Sequence, residues 1–106
     1  MKHTKLGCSR KGDLAEYYAV TWLWDKGYEV FKNCGCTGAV DLIAIDKQGS
    51  VTLIDVKTAR ESSAHNFTKT GVRTPLQKEK NVRFLLYNPV SRKLRFVQHK
   101  EVENNE

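Results

Sequence analysis

Apolar residues in the first third of the chain recur at helical spacing. At about 100° per residue, Leu14, Ala15, Tyr18, Ala19, Trp22 and Leu23 fill one half of a helical wheel over residues 13–26. Asp13 is suited to cap the start of this helix and Gly27 to end it. Glu16 falls just past the edge of the apolar arc, beside Leu23, where a carboxylate can lean toward whatever the helix covers. The period then changes. Residues 28–32 form a first strand, 33–38 a turn rich in Asn, Gly and Cys, and 40–45 and 51–56 two short apolar runs of strand length. The stretch 58–74 is polar throughout and predicts a long loop. Thr74-Pro75 opens a second helix that runs through Lys80, with Thr74 as its cap and Pro75 in its first turn. Residues 82–87 are strongly strand-like, Asn88-Pro89 turns the chain, 94–98 pairs back as a final strand, and 99–106 is a polar tail expected to fray. The order predicts an α/β fold: a mixed sheet flanked by helices, with an αβββαβ core. No repeat or linker divides residues 1–106, so one domain is expected.

Two of the apolar runs carry charge. Asp41 lies in the first, and Asp55 and Lys57 lie at the end of the second. Charged residues are rarely placed on buried strands without a partner. The segment 46–50 predicts their relation. A three-residue loop, Lys47-Gln48-Gly49, puts Gly49 at the left-handed position that closes such hairpins. Asp46 then faces Ser50, Ile45 faces Val51, and Asp41 faces Asp55. Opposed residues share a face, with Cβ atoms roughly 4.5–5.5 Å apart, and alternation brings Lys57 to that face as well. A two-residue loop would instead set Asp41 opposite Val56. In the first register, two carboxylates supply the hard oxygen ligands that magnesium or manganese prefers. A lysine beside such an ion suits attack on a phosphodiester. The plain alternative is a structural salt bridge on a small basic interaction protein.

Composition narrows the setting. The chain has 106 residues, with 18 Lys and Arg against 12 Asp and Glu, a net charge of +6 and a pI near 9.3. This balance favours a polyanionic partner. No run of about 20 apolar residues suggests a membrane span, and residues 1–10 carry charge with no apolar segment behind them, unlike a secretory signal. Three cysteines, an odd number, do not suggest a disulfide framework. A reducing, cytoplasmic compartment is expected. Residues 1–11, with Lys2, His3, Lys5, Arg10 and Lys11, read as a basic arm or as a lead-in to the first helix. Zinc is disfavoured, because Cys34 and Cys36 lack the second paired half of a structural site. His65 and His99 have no nucleophile nearby in sequence, and no glycine-rich loop is followed by the Lys-Ser or Lys-Thr of a P-loop. No small-molecule cofactor is indicated.

The set Asp41, Asp55 and Lys57 resembles the motif of the PD-(D/E)xK nuclease superfamily, although Val40 stands where that family often has its proline. The block Gly12-Asp13-Leu14-Ala15-Glu16, followed by Leu23 and Gly27-Tyr28, is similar to the opening helix of archaeal Holliday junction resolvases. The likeness covers roughly residues 7–97. It implies a restriction-endonuclease-like fold and a metal-dependent endonuclease acting on DNA, with branched or junction DNA as the first guess and a homodimer as the active form. It implies that Asp41, Asp55 and the Val56 carbonyl hold magnesium or manganese, that Glu16 joins through water or a second ion, and that Lys57 orients the attacking water. Gln77 occupies a place where many nucleases of the superfamily carry a glutamine near the metal. The polar stretch then faces the substrate, with Lys5, Arg10, Lys11, Arg60, Lys69 and Arg73 gripping phosphates. A non-catalytic nucleic-acid-binding module that keeps the fold is the alternative.

Overall fold

The computed structural model describes residues 10–35, 37–61 and 67–98. Its first helix, α1 (Arg10–Asp25), begins earlier than the expected residue 13, so Arg10 and Lys11 belong to the helix and not to a separate arm. Asp13 accordingly lies within the first turn. There it complements the positive end of the helix dipole instead of capping it. Gly27, at φ +92°, ends the helix. Its N–H reaches the Trp24 carbonyl at 2.9 Å, and the Tyr28 N–H reaches the Leu23 carbonyl at 3.1 Å, the paired bonds of a Schellman cap.

In chain order the strands are β1 (Glu29–Lys32), β2 (Leu42–Ile45), β3 (Val51–Thr58), β4 (Arg60–Glu61), β5 (Phe67–Lys69), β6 (Arg83–Tyr87) and β7 (Leu94–Phe96). Five of them form one sheet in the order β1-β2-β3-β6-β7. β3 and β6 run parallel and the other neighbours antiparallel, giving the expected mixed sheet. Helix α1 covers one face. Its Ala19 and Leu23 pack with Leu42, Ala44, Ile54 and Leu85, and the small Ala15 and Ala19 let the helix lie close to the strands. Each large apolar side chain buried here contributes roughly 1.5–3 kcal/mol. Leu14, expected in this interface, is 43 % exposed, so the buried stripe is narrower than half the wheel. Because Leu42, Ala44 and Ile54 face α1, Ile43, Leu53 and Asp55 point to the opposite face.

The hairpin between β2 and β3 has the register argued from Gly49. Leu42 pairs with Ile54 and Ile45 with Val51, and Gly49 sits at φ +90°. Asp46 secures the turn, its Oδ1 accepting from the N–H groups of Gln48 and Ser50, both at 2.9 Å.

A parallel pair requires a crossover, and here it runs from Thr58 to Arg83. The stretch 58–74 is not the continuous loop expected. β3 extends to Thr58, and then β4 pairs antiparallel with β5. α2 (Pro75–Glu79) completes the crossover, with Thr74 as its cap and Pro75 in its first turn. The expectations placed on Lys2, His3, Lys5, Cys36, His65, His99 and the tail 99–106 fall outside the described residues, as does the side chain of Lys69. Among the described residues no helix is long and apolar enough to cross a membrane.

The turn generates a direct test. Gly49→Ala meets no atom within 4 Å but keeps a positive φ, so its cost is purely conformational, about 1 kcal/mol. Gly71→Ala also meets nothing within 4 Å and has no positive φ, and should be neutral by comparison. Urea unfolding of the two variants side by side should show this difference.

Candidate active site

The site is built where β2 begins and β3 ends. Asp41 lies in a bend just before β2. Its N–H donates to the Ile54 carbonyl and its own carbonyl accepts from the Asn33 N–H, both at 2.8 Å. The strand pairing thus stops one residue short of the expected Asp41–Asp55 step, but the side chain still crosses to β3. Asp41 Oδ2 accepts from the Val56 N–H at 2.8 Å. Asp55, on β3, is only 8 % exposed. Its Oδ2 accepts from Gln77 Nε2 at 2.6 Å and lies 3.3 Å from Lys57 Nζ. The Lys57 ammonium also sits 5.3 Å from the centre of the Phe84 ring, and its side chain is 42 % exposed. One face therefore carries a buried carboxylate, a half-buried one, and a cation open to solvent.

Burial raises the pKa of Asp41 to about 7, together with a hydrogen bond to Asp55 and repulsion by its charge; the Val56 N–H acts in the opposite sense and Glu16 adds to the rise. The two acids are close enough to share a proton. A pair that holds a proton between two carboxylates is also suited to hold a cation there. The Val56 carbonyl lies on the same strand edge as its N–H, which points to Asp41, so a third hard oxygen faces the pair. This donor set fits magnesium or manganese.

Glu16 is placed differently from the acids. Its Oε1 lies 3.0 Å from Lys32 Nζ, an ion pair that raises the lysine's pKa. Among the described residues no group of three or more His, Cys, Asp or Glu side chains converges on one point. Two carboxylates meet in the site, and the third is held by β1. Gln77, buried on α2, touches the site directly through Asp55. The basic residues are scattered. Arg10 and Lys11 are exposed at the start of α1, and Arg60 is exposed on β4, opposite Lys69 in the strand register. Arg73 donates to the Val82 carbonyl at 3.2 Å, which ties the approach to α2 to the start of β6. That bond gives the guanidinium a structural anchor besides any phosphate contact.

Two residues of the site were missed from sequence. Lys32 could have been found, since alternation from the buried side of β1 puts it on the face that α1 covers, where a charge needs a partner. Asn33 gave a weaker signal, as one member of a polar turn. Its Nδ2 donates to the Thr37 and Val40 carbonyls at 3.0 and 2.9 Å, and its Oδ1 accepts from the Gly35 N–H at 2.8 Å. One side chain thus folds the turn that delivers Asp41.

A mixed sheet bearing paired carboxylates and a lysine at the end of its central hairpin defines the PD-(D/E)xK class of nuclease fold. The family model described as archaeal Holliday junction resolvase (Hjc) matches residues 8–106, and the chain belongs to that nuclease family. Its fold is similar to that of a bacterial homing endonuclease, I-Ssp6803I, with a TM-score of 0.66 and 21 % sequence identity over 85 % of this chain and 69 % of that one. No curated protein matches the sequence.

The shared proton has a measurable sign. The Asp41 carboxyl loses its proton at an ordinary carboxylate pKa of 3.8 when unfolded and at about 7 when folded. Metal-free stability should therefore fall as pH rises from about 4 to 7, and then level off. Asp41→Asn removes that cost and can still accept from the Val56 N–H. Thermal melts with a chelator should show little difference from the wild type near pH 4. At pH 8 the variant should be more stable by on the order of 1–2 kcal/mol, roughly 4–8 °C in Tm per kcal/mol.

Proposed function

We propose that this chain is a divalent-cation-dependent endonuclease that cuts DNA, that branched or four-way junction DNA is its substrate, and that it works as a homodimer. The observation that carries the reading is the convergence of Asp41, Asp55 and Lys57 on one sheet face, with the acids close enough to share a proton. The family's name supports junction DNA, and the basic excess supports a polyanion.

Asp41, Asp55 and the Val56 carbonyl would hold magnesium or manganese. When bound, such an ion lowers the pKa of a coordinated water and offsets charge on the phosphate. The protein's own groups do the rest. Asp55, fixed by Gln77, keeps its position while the substrate enters. Lys57, tethered to Asp55 but open to solvent, reaches the scissile phosphate, orients the attacking water and stabilises the charge that develops on the phosphoryl oxygens. Glu16 stands at the rim, where release from Lys32 brings its carboxylate to the entering water or a second ion. Arg10, Lys11, Arg60 and Lys69 contact backbone phosphates, which position the DNA without reading its bases. Trp24 on α1, 62 % exposed, or Phe31 and Val51 on the opposite face of the sheet, 48 % and 57 % exposed, offer apolar surface for a two-fold partner, and two sites related by symmetry suit a symmetric junction.

The deciding experiment offers linear, nicked, flapped and four-way DNAs with magnesium or manganese to the wild type, Asp55→Asn and Lys57→Ala. The wild type should cut the four-way junction best, and either variant should lower the rate by at least about 100-fold while still binding. A wild-type protein that binds junctions but cuts nothing would favour the binding-module reading. Sedimentation at micromolar concentration should show a dimer, and a monomer that only nicks would remove the junction assignment. Neutralising Arg60 and Lys69 should weaken DNA binding and flatten its log–log salt dependence by roughly 0.9 for each phosphate that the variant no longer neutralises.

A further inference from the structure

Gln77 uses its entire carboxamide on the protein. Its Oε1 accepts from the Thr74 N–H at 3.0 Å, and its Nε2 donates to Asp55 Oδ2 at 2.6 Å and to the Ala39 carbonyl at 3.2 Å. An amide nitrogen has two hydrogens, and both have acceptors here. The sense of the amide follows, with oxygen toward the Thr74 N–H and nitrogen toward the two acceptors. Ala39 stands two residues before Asp41, so this one side chain ties the strand that bears one acid to the turn that delivers the other.

The residue that holds Gln77 is exposed. Thr74 Oγ1 accepts from the Gln77 N–H at 3.1 Å, which with the return bond from the Thr74 N–H makes a reciprocal capping box. α2 is five residues long, far too short to keep its own first turn without a cap. Thr74 is also where the chain returning from the β4–β5 arm rejoins the core.

We propose that Thr74 is a positioning residue for the Asp41–Asp55 pair, acting through Gln77, so that a helix cap on the surface sets the spacing of the acids. The inference rests on the nuclease reading, in which the pair holds a divalent cation. Loss of the hydroxyl frees the Gln77 N–H, loosens the first turn, and lets the amide leave Asp55 and Ala39 together. Arg10 and Lys11 on α1 and Arg60 on β4, proposed above to grip DNA, lie elsewhere and keep their places.

Thr74→Val keeps the shape and removes the acceptor, whereas Thr74→Ser keeps the acceptor. Three quantities decide the matter: manganese affinity of the DNA-free protein by calorimetry, the magnesium concentration that gives half-maximal cleavage, and KM for DNA against kcat. Thr74→Val should weaken manganese binding and raise the magnesium midpoint by roughly tenfold, and lower kcat at fixed magnesium while KM stays within about twofold. Thr74→Ser should restore both metal measurements toward wild type. A Thr74→Val protein with a lower Tm but unchanged manganese affinity and magnesium midpoint would make Thr74 a helix cap and nothing more. If the wild type itself neither binds manganese nor cuts, the nuclease reading fails and takes this inference with it.

Discussion

Two carboxylates held within hydrogen-bonding distance repel each other, and the rest of this structure can be understood as the means of keeping them there. The Val56 N–H holds Asp41, and Gln77 and Lys57 hold Asp55. None of these groups would be in place without the sheet. The α1 face supplies its cohesion, through Ala19, Leu23, Leu42, Ala44, Ile54 and Leu85. The opposite face carries Asp55 and Lys57. This division of labour lets a small protein tolerate a destabilised pair, since the apolar burial on one side of each strand offsets the electrostatic cost on the other.

How much of this was legible in the sequence depended on whether each feature had a local cause. The hairpin register followed from Gly49 and from the apolar alternation on either side, and both are properties of residues 40–57 alone. The start of α2 followed from Thr74-Pro75 in the same way. The β4–β5 arm was not legible. A two-stranded ribbon need not bury a face, so residues 58–74 lack the alternation by which a strand is recognised. The start of α1 was missed because Asp13 is as acceptable in a first turn as at a cap. Glu16 was expected at the acid site, and its bond to Lys32 depends on how α1 lies across β1, which no short window of sequence contains. Arg73 has the composition of a phosphate contact, and only the fold shows that it also braces Val82.

The exposures in the site form a gradient that matches the chemistry expected of a nuclease of this family. Asp55 is nearly buried and Asp41 half-buried, while the Lys57 side chain is 42 % exposed. The carboxylates are enclosed to different degrees, and the lysine proposed to meet a phosphate is open to solvent. The partners of the two acids, and not this gradient, account for the raised pKa of Asp41. Asp55 already has a lysine and an amide donor, whereas Asp41 has a single backbone donor to set against burial and two neighbouring acids.

The arm leaves and re-enters the core at two well-secured points. On one side the Ala59 N–H bonds the Tyr87 carbonyl at 2.8 Å, which ends the β3–β6 seam. On the other, Thr74 begins α2. Everything between them is an insertion whose ends are already closed, and a different insertion of matching span could be spliced there without reopening the sheet. The fold thus has a natural cassette boundary: the β4–β5 segment can be exchanged, provided that the cut is made after Ala59 and before Arg73, whose guanidinium braces the Val82 carbonyl.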